Sequence, residues 1–310
     1  MSIVLAGGSG FLGRVLAKRL RESGHDVVVL TRQAAGRSDF EGVRYLEWDP
    51  DGSIGEWARS IEGVDAVVNL TGAGIADRRW TPERKAELRS SRTHSTRSLA
   101  TAFRIAGNRP PVFIQISGVG FYGASLSATE VDESYPPGSD FLSDLCVAWE
   151  AEAHPIAAMG TRLVIVRNGI VLDEKDGALS RMAAPFRWFV GGPLGSGRQY
   201  FPWIHRDDWA GLMVWAISTP AVTGVVHAVA PGGTTNRDFS RALGKAIGRP
   251  SWLPVPGPAL KIIVGEMAGI GLLKGQHVVP KRTQELGFRF AYPTVGPALA
   301  NIWPKEQEPT

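Results

Sequence analysis

Apolar positions along this chain fall into two rhythms. Short, almost wholly apolar runs occupy residues 2–6, 26–31, 43–47, 65–71, 112–117 and 162–167. Between them, stretches at 11–23, 82–106 and 141–159 carry helical patterns; in the first, Val15, Leu16, Arg19 and Leu20 fall at helical spacing. Strands apolar on both faces, alternating with helices, predict a parallel sheet covered on both sides. The second half breaks the rhythm. Residues 173–202 mix glycine turns with Phe186, Trp188, Phe189, Tyr200 and Phe201. A helix is predicted over 207–218, a strand over 224–229 and a helix over 236–247, with Thr235 or Asn236 able to cap it. Pro250 to Pro258 introduce the last segment, and 304–310 reads as a disordered polar tail.

The join between the first strand and the first helix is the most informative point. Ile3-Val4-Leu5-Ala6 runs into glycines at 7, 8, 10 and 13. Gly8, Gly10 and Gly13 satisfy G-x-G-x-x-G; Gly7, Gly10 and Gly13 satisfy G-x-x-G-x-x-G. A strand, a glycine turn and a helix in that order form a dinucleotide cradle. The turn lets the backbone approach a pyrophosphate, and the helix start offers unpaired N–H groups and a positive dipole end. The predicted contacts are Gly7, Gly8, Ser9, Gly10, Phe11, Leu12 and Gly13. At the end of the second strand, where NAD enzymes place an acidic residue, the chain reads Leu30-Thr31-Arg32. Arg32 suits a 2′-phosphate instead, so the expected cofactor is NADP(H). Asp49 either meets an adenine edge or opens the Asp49-Pro50-Asp51-Gly52 turn.

Bulk composition narrows the class. The 310 residues are 44% hydrophobic and 21% charged, with a formal net charge of +4 and no basic block. Nucleic acid is therefore not the expected partner. One cysteine, Cys146, excludes an intramolecular disulfide and a multi-cysteine metal site. The six histidines lack metal-ligand spacing. No apolar stretch is long enough to span a bilayer and no targeting segment is visible, so a reducing, cytoplasmic setting is expected.

The whole pattern resembles the extended short-chain dehydrogenase/reductase superfamily. Four phrases narrow it to an atypical branch, the epimerase family proteins: Val68–Gly72, Gly191–Gly197, Phe201–His205 and Leu273–Pro280. The resemblance covers residues 2 to about 303, ending in a family-specific C-terminal segment over 250–303. It implies a doubly wound, parallel-sheet Rossmann fold of the α/β class with a smaller mixed substrate-side region. The expected division is a cofactor domain over 1–170, with a return segment near 204–230, and a substrate-side region over 171–310. It further implies cofactor contacts at Thr31 and Arg32, at Leu70 and Thr71, at Glu87 and Arg92, and at Val171. By themselves, Glu87 and Arg92 read as an ordinary charged helix face; the resemblance gives the cofactor contact equal weight.

The chemistry is less legible. Members of the superfamily use a serine with Tyr-x-x-x-Lys, the lysine favouring the phenolate. Ser117 ends the fifth strand, where that serine belongs. No tyrosine of this chain is followed by lysine at the fourth position. If Glu150 aligns with the glutamate after the pair, Leu142 and Cys146 occupy the tyrosine and lysine places. Tyr122 is the nearest substitute, with Lys85 as a conceivable cationic partner; equally, Tyr122 shapes a pocket wall. His205 either faces substrate or fixes the chain's return to the sheet, with Asp207 capping the next helix. Trp188, Gly191–Pro193, Gln199, Tyr200 and Trp203, with Arg187 and Arg198, suit either a polar or anionic ligand or a packed wall. The expectation is an NADP(H)-dependent oxidoreductase or epimerase-like enzyme acting on a small molecule. The alternative is an NADP(H)-binding sensor or partner-binding protein with little catalysis.

Overall fold

The structure, a computed structural model, describes residues 1–37, 42–125 and 128–304. Most of the expected polar tail, residues 305–310, lies outside the described residues. In chain order the elements begin β1 (Ser2–Ala6), α1 (Phe11–Glu22), β2 (Asp26–Thr31), β3 (Val43–Glu47), β4 (Ala66–Asn69), α2 (Pro82–Ile105) and β5 (Val112–Gly118). Then come β6 (Glu130–Val131), α3 (Phe141–Ala151), α4 (His154–Ala158), β7 (Arg162–Asn168), β8 (Ile170–Leu172) and α5 (Gly177–Arg187). The remainder is β9 (Trp203–His205), α6 (Arg206–Ser218), β10 (Gly224–Ala228), α7 (Asn236–Ala246), α8 (Gly257–Val264), β11 (His277–Val278), α9 (Lys281–Glu285) and α10 (Val295–Ile302).

One seven-stranded sheet runs in the order β10-β7-β5-β4-β1-β2-β3. Strand β1 pairs in parallel with β2 and β4, β2 with β3, and β4 with β5. The strand order reverses direction beside β1, which is the switch point of a doubly wound sheet and the place where such folds bind ligands. The interior strands earned their place by composition: β1, β2, β4 and β5 are buried almost end to end.

The chain forms two compact units. The first comprises residues 1–121, 144–167 and 210–226; the second comprises 122–143, 168–209 and 227–310. The core of the first includes Val4, Leu30, Val67, Leu99, Phe103, Phe113 and Ile165. The second has its own core around Leu172, Phe186, Trp203, Phe239 and Leu299. It also contains two short parallel ribbons, β8 with β9 and β6 with β11.

The predicted helix over 141–159 is two helices. Pro155 stands at the start of α4. Proline has no N–H for a helical bond and its ring crowds the carbonyl four residues back, here Ala151, the last residue of α3. Thr235 proves to be the cap of α7, its side chain accepting from the Asp238 N–H. Asp207 does not cap α6; it lies in its first turn, where its N–H donates to His205 Nδ1 at 3.1 Å.

Candidate functional site

The glycine turn is a close-packed object. Gly7 has φ +76°, a left-handed conformation that costs a side chain dearly. Its N–H donates to Leu30 O at 3.0 Å, tying the turn to the end of β2. A Cβ on Gly13 would overlap the Gly8 backbone, so α1 can approach the turn only without a side chain there. Gly10 is the N-cap of α1 and makes no side-chain cap bond, and no acidic residue occupies the first turn. That helix end therefore presents Phe11, Leu12 and Gly13 N–H groups and a positive dipole end to an anion. Ser9 Oγ and Thr31 Oγ1 share a hydrogen bond of 3.0 Å, and Arg14 donates to Ser9 O at 3.1 Å. The turn and the end of β2 are thus one structure.

Arg32 is exposed at that same strand end. Its charge helps hold the Glu87 carboxyl below the usual carboxylate range, after the Glu87–Arg84 bond and the Arg78 and Arg84 charges. Glu87 pairs with Arg78 at 2.9 Å and with Arg84 at 2.7 Å. Arg92 is not on a solvated helix face. It is buried, with its guanidinium over the Trp149 ring at 4.9 Å and Nη1 donating to Leu88 O at 3.0 Å. Burial pushes it down to about 10. Among the described residues no carboxylate stands within ion-pair distance of it. Gly72, at φ +154°, makes room: a Cβ there would come within 2.9 Å of Arg92 Cζ. A buried cation without a paired carboxylate is costly to hold in a protein interior.

Leu70 and Thr71 follow β4 directly. Leu70 N–H donates to Ala6 O at 2.9 Å, and Thr71 Oγ1 is committed to Asn69 Oδ1 and Ser95 Oγ, both at 2.5 Å. Asn69 also donates to Thr96 Oγ1 at 2.9 Å and to Gln115 Oε1 at 3.0 Å. This buried polar network fixes the strand end. The signal for it was Ser95 and Thr96 in the middle of α2, at positions facing the sheet where an apolar residue would be ordinary.

Ser117 ends β5 as expected, but its hydroxyl is engaged. It donates to Glu150 Oε1 at 2.6 Å, and Glu150 receives Arg167 at 2.9 Å on Oε1 and 2.8 Å on Oε2. Serine, glutamate and arginine are all buried, and the Arg167 guanidinium lies 3.3 Å over the Phe121 ring. Cys146 adjoins Ser117; burial first, then the Glu150 charge, pushes its thiol up to about 11. It is a packing residue with almost no thiolate.

Tyr122 and Val171 belong to the second unit. Tyr122 is buried and its hydroxyl meets His227 Nε2 at 2.5 Å. His227 Nδ1 lies 2.8 Å from Val279 O, which can only accept, so Nδ1 carries the proton and Nε2 accepts from Tyr122. The Tyr122 hydroxyl thus meets a neutral imidazole. Glu133 accepts from Thr283 and from the Arg282 N–H, anchoring the first turn of α9. Val171 is buried in β8, in register with Ile204 of β9.

The expected substrate face divides. Trp203 is core, its indole donating to Thr234 Oγ1 at 3.0 Å, and Gln199 is buried, donating to Leu194 O and Leu272 O. Tyr200 stacks on His277 at 4.1 Å. His205 is fully buried against Tyr292, and burial lowers its pKa, which fits the chain-fixing alternative. Trp188 remains 80% exposed. Among the described residues no group of three or more His, Cys, Asp or Glu could hold a metal, and no helix is long and apolar enough to cross a membrane.

A doubly wound sheet with a glycine turn at its switch point defines a Rossmann-type α/β protein of the extended short-chain dehydrogenase/reductase superfamily. Within that class the chain belongs to the NAD dependent epimerase/dehydratase family, whose model matches residues 3–230. Residues 255–302 match a domain of unknown function, DUF1731. The chain is 40% identical over 306 residues to the epimerase family protein SDR39U1 of Bos taurus, covering 97% of this chain and 99% of the relative. It is 36% identical over 302 residues to the epimerase family protein YfhF of Bacillus subtilis, covering 97% and 98%. Among solved structures it is similar to human epimerase family protein SDR39U1 (isoform2) with NADPH. That match has a TM-score of 0.87 and 37% identity, covering 97% of this chain and 99% of that one.

Proposed function

We propose that this chain is an NADP(H)-binding oxidoreductase or epimerase-like enzyme acting on a small molecule. The observation that carries the reading is the turn from Gly7 to Gly13, packed so tightly that Gly13 admits no Cβ and ending in an uncapped helix. The solved human relative with NADPH supports the same cofactor. In this reading the backbone of Gly7, Gly8, Ser9, Gly10, Phe11, Leu12 and Gly13 binds the pyrophosphate. Thr31 and Arg32 receive the 2′-phosphate, with Glu87 tuning the local charge. Leu70 and Thr71 contribute backbone, because the Thr71 hydroxyl is already engaged. Arg92 offers its buried charge to a cofactor phosphate. When bound, the nicotinamide supplies a hydride donor or acceptor.

The chain's own proton chemistry departs from the superfamily pattern. The Ser117 O–H donates its hydrogen bond to Glu150, so its oxygen is left to serve a substrate hydroxyl as an acceptor. Tyr122 has a base within reach in His227. A second reading, an NADP(H)-binding protein with weak or no catalysis, is favoured by Leu142 and Cys146 at the tyrosine and lysine places and by the high Cys146 pKa.

The test of the cofactor is thermal stabilisation. NADPH is expected to raise the melting temperature well beyond NADH at equal concentration. Equal or stronger stabilisation by NADH overturns the Arg32 assignment. Turnover of carbonyl or sugar substrates by wild type, lost in both Ser117→Ala and Tyr122→Phe, supports the enzyme reading; turnover unchanged in both removes their catalytic roles.

A further inference from the structure

Within the second unit, the segment after α7 closes a recess of about 350 Å³ whose walls include Ser196, Arg237, Arg241, Ser251 and Trp252. Its volume falls within the range of small-ligand pockets. The wall is pinned by main chain. Trp252 and Leu253 N–H groups both donate to Gly191 O at 3.2 Å, and Leu194 bridges Val255. A Cβ on Gly192 would overlap the Leu253 backbone, so the two segments meet there only without a side chain; one on Gly191 would overlap the Phe186 ring of α5. The Trp252 indole N–H donates to Phe189 O at 3.2 Å, which holds the ring in place while 67% of the residue stays exposed. Phe189 has φ +62° and lies under the Arg249 guanidinium at 4.8 Å.

The polar side of the recess is cationic and under-used. Arg237 donates from Nη2 to Ser196 O at 2.9 Å. Arg241 meets Asp238 at 3.8 Å, with both side chains more than half exposed, a pairing that costs little to redirect. Asp238 itself accepts from the Thr235 hydroxyl at 2.6 Å. The Ser251 hydroxyl oxygen is buried with no hydrogen-bond partner.

We propose that this recess binds an anionic small molecule carrying a flat ring, the ring lying on Trp252 and the anion held by Arg237 and Arg241. Arginine forks match phosphate and carboxylate geometry, and an indole face fixed in advance binds a ring at low entropic cost. The inference goes beyond the cofactor reading and does not rest on it.

The test uses the full chain, labelled with ¹⁵N at its tryptophan indoles, with NADPH present throughout so that the probe does not report the dinucleotide turn. Trp252→Phe assigns the Trp252 indole peak. Phenyl phosphate is expected to shift that peak saturably, and inorganic phosphate or benzyl alcohol to shift it only weakly. Arg237→Gln with Arg241→Gln is expected to weaken the phenyl phosphate affinity at least about tenfold, the loss of one charge-assisted contact. An unmoved peak overturns the proposal, as does a shift undiminished in the double variant. A response to benzyl alcohol as strong as to phenyl phosphate removes the anion, and an equal response to inorganic phosphate removes the ring. NADPH stabilisation is read separately, so either conclusion can fail alone.

Discussion

The glycine turn and the Ser117–Glu150–Arg167 cluster lie in the same unit but are built in opposite ways. The turn works by leaving side chains out: seven consecutive residues fold back so that helix, strand and turn touch through backbone. The cluster works by bringing side chains in, from the end of β5, from α3 and from β7, and satisfying each against the others. One is a local arrangement open to an anion. The other is a closed, desolvated knot whose members are separated by 33 and 17 residues. A binding function and a catalytic function make different demands on sequence, and here the binding half is far better defined.

Glu150→Ala should have the largest effect. It leaves the Arg167 charge buried without its partner, which costs about 3–5 kcal/mol. Chemical denaturation measures it; a loss below about 1 kcal/mol would mean that the knot is not closed. Gly13→Val comes next, at about 1–3 kcal/mol from overpacking against Gly8, together with loss of the NADPH-induced thermal shift. A variant that keeps that shift would show that the turn does not hold the dinucleotide. Arg32→Ala should leave the fold intact and weaken NADPH about tenfold while leaving NADH unchanged, read by titration calorimetry. A uniform loss for both would place Arg32 elsewhere than at the 2′-phosphate.

Ser117→Ala should cost about 1 kcal/mol and leave NADPH binding alone, because it removes one buried hydrogen bond from the knot and nothing from the turn. The smallest effect concerns Cys146. With a thiol pKa of about 11, only about one molecule in a thousand is thiolate at pH 8. Ellman's reagent should therefore react with the unfolded chain and hardly at all with the native one. Reactivity should climb only as pH rises towards that value; rapid native labelling at pH 8 would break the picture of a sealed cluster.

The interior strands of the first unit were readable because they are buried on both faces, which leaves unbroken apolar runs such as Ile3–Ala6 and Val27–Leu30. The Thr235 cap was readable because capping is a contact across three residues. Where sequence reading failed, the missing information was distant. Periodicity carried one helix through 141–159, whereas Pro155 divides it. The ribbons β8–β9 and β6–β11 are two or three residues long and join segments remote in sequence, too short to show a period. Arg92 read either as an ordinary charged helix residue or as a cofactor contact, and only the fold shows it buried beside Gly72 and Trp149. Gln199 and Trp203 suited a ligand face or a packed wall equally in sequence, and the structure places them in the interior.

The sequence by itself determined the fold class, the glycine turn between β1 and α1 and the absence of Tyr-x-x-x-Lys, because each is a matter of local spacing and residue type. The tertiary structure alone decided that Ser117 serves Glu150, that Tyr122 meets His227 and that Arg92 is buried with no carboxylate paired to it among the described residues. Those facts depend on which side chains meet after the chain has closed its sheet, and on how much water is left between them. Neither quantity is written in the spacing of residues along the chain.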